Sequence, residues 1–177
     1  MMRNQSVLRV VMAGAAALAT ACGGGTSVPA PVAGPRMAPD FALQDLAGNT
    51  VRLSDSAGEI RIVDFWATWC PPCLEEIPMY KEIHQDYASR GVRILGVALD
   101  DEGAALVRPF AAEKAIPYTV LVGEDAQKVA DEFGAPGLPT TFVIDRDGVI
   151  AWSATGAKPK KVLVEKIEAL LAARAGA

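Results

Sequence analysis

Between residues 38 and 174 the spacing of apolar positions changes repeatedly, and each change marks an element. Phe41-Ala42-Leu43 and Thr50-Val51-Arg52-Leu53 flank the polar stretch Asp45 to Asn49, which contains Gly48, and this predicts a β-hairpin. Ile60 to Trp66 reads IRIVDFW, a continuous apolar and β-branched run of the length of a buried parallel strand. From Pro71 to about Ser89, Leu74, Ile77, Tyr80, Ile83 and Tyr87 hold the 3–4 spacing of a helix that Gly91 closes. Val92 to Leu99 predicts a second buried strand, and residues 102–115 a helix in which Pro109 marks a break or kink. Tyr118 to Val122 predicts a third strand. Ala126, Val129, Ala130 and Phe133 form a short helical stripe ended by Gly134. Thr140 to Ile144 predicts a strand, Asp147-Gly148 a turn, and Val149 to Ser153 the antiparallel partner. Lys160 to Arg174 predicts a final helix with Leu163, Ile167, Leu170 and Leu171 on one face.

Strands that alternate with helices imply parallel pairing through crossover connections, and the closing hairpin adds antiparallel strands. The expected fold class is therefore α/β, with a mixed central sheet, helices on both faces and an added N-terminal hairpin. No internal repeat is visible.

The segment before this domain has a different character. Arg3 and Arg9 make a basic start without acidic residues, and Val10 to Ala21 is a short apolar run. A stable bilayer-spanning helix needs roughly 20 apolar residues, so the run fits a secretory signal of residues 1–21. Leu18-Ala19-Thr20-Ala21-Cys22 places small residues directly before a cysteine and resembles a bacterial lipobox, with the leucine one position early. On that reading Cys22 is lipidated and becomes the mature N-terminus; the alternatives are an ordinary signal with Cys22 an incidental thiol and an uncleaved anchor. All three export the chain, out of the reducing cytosol. Residues 22–36 then read as a Gly/Pro-rich linker and 37–177 as the folded domain. The Gly/Pro text of residues 23–39 could reach ~55 Å when extended, enough for a tethered domain to approach partners at the membrane.

Composition narrows the function. A formal charge of −4 argues against a nucleic-acid partner, which selects a basic face. One histidine argues against a His-rich metal site, and three cysteines are too few for a disulfide framework. The expectation is no metal and no cofactor beyond the protein's own cysteines.

Two of those cysteines carry the chemistry. Asp64-Phe65-Trp66-Ala67-Thr68-Trp69-Cys70-Pro71-Pro72-Cys73 places a C-x-x-C after a buried strand and at the opening of a helix. The helix N-terminus carries partial positive charge and free N–H groups, which favour a thiolate at Cys70, the nucleophile. Proline is tolerated in the first turn because its missing N–H has no partner there. Cys73, one turn on, is placed to resolve the mixed disulfide.

These residues resemble the thioredoxin-fold thiol–disulfide oxidoreductases of the TlpA/ResA type, an exported, membrane-tethered branch of the redoxin superfamily. The resemblance covers about residues 37–174. It rests on FWATWCPPC at 65–73, Glu76-Ile77-Pro78, Gly137-Leu138-Pro139-Thr140-Thr141-Phe142, and APDFALQDLAGNTVRLSD at 38–55. It implies a thioredoxin-like fold and a cis-proline at Pro139 beside the cysteines, with the Leu138 backbone exposed to bind a client peptide. Trp69, Pro71 and Pro72 would line the same client surface. It also implies disulfide-bearing client proteins and a membrane thiol donor of electrons, on the periplasmic face.

Two acidic residues compete for the Cys73 proton. Asp64 lies inside an apolar strand, where burial would raise its pKa towards neutral; tethered relatives often carry asparagine there. Glu76 follows Cys73 by three residues on the same helix face, against a surface role, and Glu75 reads as solvated. His84 lies ~21 Å along the helix from Cys70 and cannot reach. Trp66 reads as packing near the site. With Asp64, Glu75 and Glu76 nearby and no cation in the motif, a Cys70 thiolate is opposed, which favours a reductant over a disulfide maker. Three other readings remain. A thiol peroxidase needs a hydroxyl residue three before its cysteine, whereas Thr68 is two before Cys70. A copper-binding redoxin would hold Cu(I) between thiolates. A cytochrome c maturation thioredoxin usually has an acidic residue where Thr140 stands.

Overall fold

The computed structural model describes residues 36–173. The expected secretory signal, Cys22 and most of the expected linker lie outside these residues, as does Arg174, the expected end of the last helix. The strands are β1 (Ala42–Asp45), β2 (Thr50–Arg52), β3 (Ile60–Trp66), β4 (Val92–Ala98), β5 (Thr119–Val122), β6 (Thr140–Ile144) and β7 (Ile150–Thr155). The helices are α1 (Pro71–Tyr87), α2 (Ala104–Glu113), α3 (Ala126–Phe133) and α4 (Lys160–Ala173).

All seven strands form one sheet in the order β2-β1-β5-β4-β3-β6-β7. β3 lies between β4, which it pairs in parallel, and β6, which it pairs antiparallel. All seven residues of β3 are buried, as a strand with neighbours on both edges and helices on both faces requires. Side chains alternate across it. Ile60, Ile62 and Trp66 join the core beneath α1, α2 and α4, while Val63 and Phe65 join the core beneath α3. On that second face Phe65, Phe133 and Phe142 meet edge to face at centroid distances of 5.1–6.0 Å, each pair adding ~0.5–1.5 kcal/mol beyond its buried area.

Asp64 falls on the α1 face by the same alternation. Its register partner on β4 is Gly96, and a Cβ there would come within 3.1 Å of Trp66 Nε1 and 3.2 Å of Tyr118 Cε2.

Differences from the sequence reading have local causes. α2 runs unbroken through Pro109, which is exposed, so the ring's demand for space meets solvent rather than core. β7 extends to Thr155, two residues past the expected end, because Thr140 pairs with Thr155. Arg36 was expected to be the last linker residue. Instead its guanidinium donates to the Phe133 carbonyl at 2.6 Å and its carbonyl accepts from Ile150 N–H at 2.8 Å, which ties it to the domain.

Candidate functional site

The active segment sits where β3 ends and α1 begins. Ala67 to Trp69 turn the chain, and Asp100, buried just beyond β4, holds that turn. Its carboxylate accepts the Thr68 N–H at 3.1 Å and the Thr68 hydroxyl at 2.5 Å. Cys70 is the N-cap residue of α1 in extended conformation, Pro71 is the first helical residue, and Cys70 and Cys73 are joined by a disulfide with Cα atoms 5.3 Å apart. Both cysteines are buried, whereas Trp69, the residue before Cys70, is 66% exposed.

Prolines at the first two positions of α1 have a chemical consequence. The first N–H groups beyond Cys70 belong to Cys73 and Leu74, and both donate to the Cys70 carbonyl, at 3.0 and 3.2 Å. The helix start thus offers its charge to Cys70 with its nearest amide protons already engaged.

Beneath the cysteines lies a buried polar network. Cys73, Glu76 and Tyr80 occupy successive turns of the inward face of α1 and are all buried. The Tyr80 hydroxyl donates to Asp64 Oδ1 at 2.9 Å, and the Thr141 hydroxyl, from β6, donates to the same oxygen at 2.8 Å. Glu76 is paired with Lys158 from the loop before α4. Its carboxylate takes the Lys158 ammonium at 2.9 Å on both oxygens and the Lys158 N–H at 2.7 Å. The two side chains are only 4% and 5% exposed. Lys158 Nζ also stands 3.4 Å from the Tyr80 hydroxyl.

Burial dominates the electrostatics here. It pushes the Asp64 carboxyl from its ordinary 3.8 up to about 7; the Lys158 charge and the hydroxyls of Thr141 and Tyr80 pull it down, and Glu76 adds to the rise. Burial, with the neighbouring Asp64 and Glu76, holds the Tyr80 phenol well above its ordinary range, so it stays a hydrogen-bond donor. Near neutral pH both the protonated and the ionised forms of Asp64 are therefore populated.

The predicted residues are sorted by this geometry. Asp64 is buried and not edge-facing, Glu76 is buried and ion-paired and not at the surface, Glu75 is exposed, and His84 is half-buried further along α1. The expectation of uniformly acidic surroundings is corrected by Lys158, a buried cation 82 residues from its partner Glu76. Nothing local in Gly156-Ala157-Lys158-Pro159 announces it. The Leu138–Pro139 bond is cis, as the resemblance implied. Pro139 is buried, Leu138 half-buried, Pro71 exposed and Pro72 half-buried. Trp69, Leu99, Gln127, Pro136, Gly137 and Leu138 line one open hollow, so two of the five residues expected to meet a client, Trp69 and Leu138, share a surface.

The model of the AhpC/TSA family matches residues 35–153. The thiol-disulfide oxidoreductase ResA of Geobacillus thermodenitrificans is 35% identical over 133 residues, covering 75% of each chain. The thioredoxin-like protein YneN of Bacillus subtilis is 30% identical over 134 residues, covering 75% of this chain and 78% of that one. Among solved structures, a thiol:disulfide interchange protein of the thioredoxin family from Chlorobium tepidum superposes with a TM-score of 0.69 at 29% identity, covering 77% of this chain and 97% of that one. A C-x-x-C at a helix start, a cis-proline strand and these relatives converge: the chain belongs to the AhpC/TSA family, among its thiol–disulfide oxidoreductases.

Proposed function

We propose that this thiol–disulfide oxidoreductase works as a reductant of disulfides in exported client proteins. It is held to the periplasmic face of a membrane by a lipid on Cys22 and recharged by a membrane thiol donor. The observation that carries the direction is the Pro71-Pro72 start of α1. With two N–H groups missing and the next two bonded to the Cys70 carbonyl, the Cys70 thiolate is less stabilised than at an ordinary helix start, and a less stabilised thiolate makes a more reducing couple.

In the reduced protein the Cys70 thiolate attacks a client disulfide held across the Trp69 and Leu138 surface. A Cys70–client disulfide forms, the client S–S bond breaks, and one client thiolate leaves. Asp64 then accepts the Cys73 proton, the Cys73 thiolate attacks Cys70 Sγ, and the second client thiolate departs and is protonated. Two electrons pass to the client, and the Cys70–Cys73 disulfide remains. Asp64 suits the role because it is buried, uncharged about half the time near pH 7, and bound by donors that favour its ionised form. Glu76 is excluded from it by its bidentate tie to Lys158.

The test is the reduction potential of the Cys70–Cys73 couple, titrated against dithiothreitol. A potential near or below thioredoxin's ~−270 mV supports the reductant, and one near ~−120 mV would mark an oxidase of folding clients. Mass spectrometry of the mature N-terminus from membranes tests the anchor: an unmodified Cys22 removes it.

A further inference from the structure

We propose that Lys158 is the positioning residue of the proton relay, fixing Glu76 as a permanent partner and setting from the α4 side how tightly Asp64 holds the Cys73 proton. This rests on the reading of Asp64 as the group that serves Cys73.

The geometry is a continuous chain across three elements. Glu76 Oε2 meets Lys158 Nζ at 2.9 Å, Nζ stands 3.4 Å from the Tyr80 hydroxyl, and that hydroxyl donates to Asp64 at 2.9 Å. The ammonium also lies over the Tyr80 ring, 5.7 Å from its centroid. Two further features show that the position is built. The Lys158 backbone N–H is committed to Glu76 as well as its side chain, so the loop and the head group are fixed together. The ammonium is almost wholly desolvated, where a charge acts more strongly than at the surface.

The groups that face Asp64 are few. α1 presents Tyr80 and Glu76 below the Cys70–Cys73 pair, β6 presents Thr141, which does not titrate, and the segment entering β5 presents Tyr118. β4 presents only Gly96. Lys158 is thus the cation that acts on Asp64, and Glu76 is an anion that opposes it from the other end of the same ion pair.

This arrangement makes a pair of variants move in opposite directions. Lys158→Met removes the attraction that favours ionised Asp64, so its midpoint rises. Glu76→Gln removes a repulsion and leaves the cation, so the midpoint falls. The two contacts through Tyr80, 3.4 and 2.9 Å long, set an ammonium-to-carboxylate separation of at most ~6.3 Å, at which the loss of Lys158 is worth ~1–2 pH units. Lys158→Arg keeps the charge and restores the wild-type direction. The double variant Lys158→Met with Glu76→Gln removes both charges, an exchange that buried pairs often tolerate, and leaves an upward shift smaller than that of Lys158→Met alone.

Two readouts are taken on full-length protein of each variant, checked for folding by circular dichroism. One is the carbon-13 carboxyl titration of Asp64 in the oxidised form. The other is the pH profile of the second thionitrobenzoate release when reduced protein reacts with 5,5′-dithiobis(2-nitrobenzoate), which reports attack by Cys73. Opposite shifts of the carboxyl midpoint, followed by the release profile, are expected. Equal or absent carboxyl shifts overturn the proposal irrespective of the direction of electron flow. A carboxyl that shifts while the release profile stays fixed overturns it by a different route, because the role of Asp64 towards Cys73 then fails first. Should Lys158→Met not fold, the Glu76→Gln and Lys158→Arg profiles decide: no downward shift in the first, or a large upward shift in the second, overturns it.

Discussion

Replacing Asp64 by asparagine keeps the shape of the side chain and removes its charge. The Tyr80 and Thr141 hydroxyls donate to Asp64 Oδ1, and the amide oxygen of asparagine can accept both. Burial raises the Asp64 pKa from 3.8 to about 7. At ~1.4 kcal/mol per pKa unit, ionised Asp64 lowers the stability of the fold by ~4 kcal/mol at pH 8 relative to a chain in which it titrates normally. The folded state binds this proton more tightly than the unfolded state does. The stabilisation is therefore complete below pH 3.8, declines as pH rises through the interval, and is gone above about 7. Between pH 5 and pH 8 the wild type is expected to lose ~2–3 kcal/mol through this group alone. Asp64→Asn lacks that loss. Its extra amide hydrogens add a penalty of ~1–2 kcal/mol, but at every pH alike. Urea unfolding of both oxidised proteins from pH 5 to pH 8 separates the effects. The wild-type midpoint should fall relative to the variant by ~1–2 M urea at ordinary m-values. Parallel midpoints across the series would refute the claim that Asp64 is a desolvated carboxyl in the folded protein.

Tyr80→Phe removes one donor that favours ionised Asp64, so a loss of ~1–2 kcal/mol is expected, larger at pH 8 than at pH 5 in the same urea series. Asp100→Asn weakens the hold on Thr68 and lets the Trp69–Cys70 turn shift; stopped-flow reduction of a peptide disulfide should slow ~10-fold, for a stability loss of ~1 kcal/mol by thermal melting. Trp69→Ala removes a ring that stands in solvent, so stability should stay within ~0.5 kcal/mol while KM for a peptide disulfide rises several-fold; an unchanged KM would take Trp69 out of the client surface.

The parts of the site that are close in sequence were legible before any fold was known. β3 announces itself by an unbroken apolar run, and the cysteines follow it at once, so strand, turn and helix start can be placed from one decapeptide. Asp64 stands out because a carboxylate inside such a run must be paired or protonated. Lys158 was not legible. Its distance from Glu76 along the chain carries no periodicity, and a lysine in a loop ordinarily points to water. Only the return of β7 beside β6 delivers that loop to the inward face of α1. The same limit applies to the pairing of β1 with β5, which local pattern cannot specify, and to Pro109, whose tolerance depends on the ring facing solvent.

Gly96 has a consequence for how this site can vary. The Trp66 and Tyr118 rings fill the volume that a β4 side chain would need, so packing has closed the shortest route by which a counter-charge could reach Asp64. Aromatic filling and a β4 cation are alternative solutions to one spatial problem, and this chain has taken the first. Charge compensation comes instead from the loop before α4. Gly96, Trp66 and Tyr118 accordingly form one unit of exchange: a lysine grafted onto β4 needs one of the two rings to give way, while the lysine before α4 stays committed to Glu76.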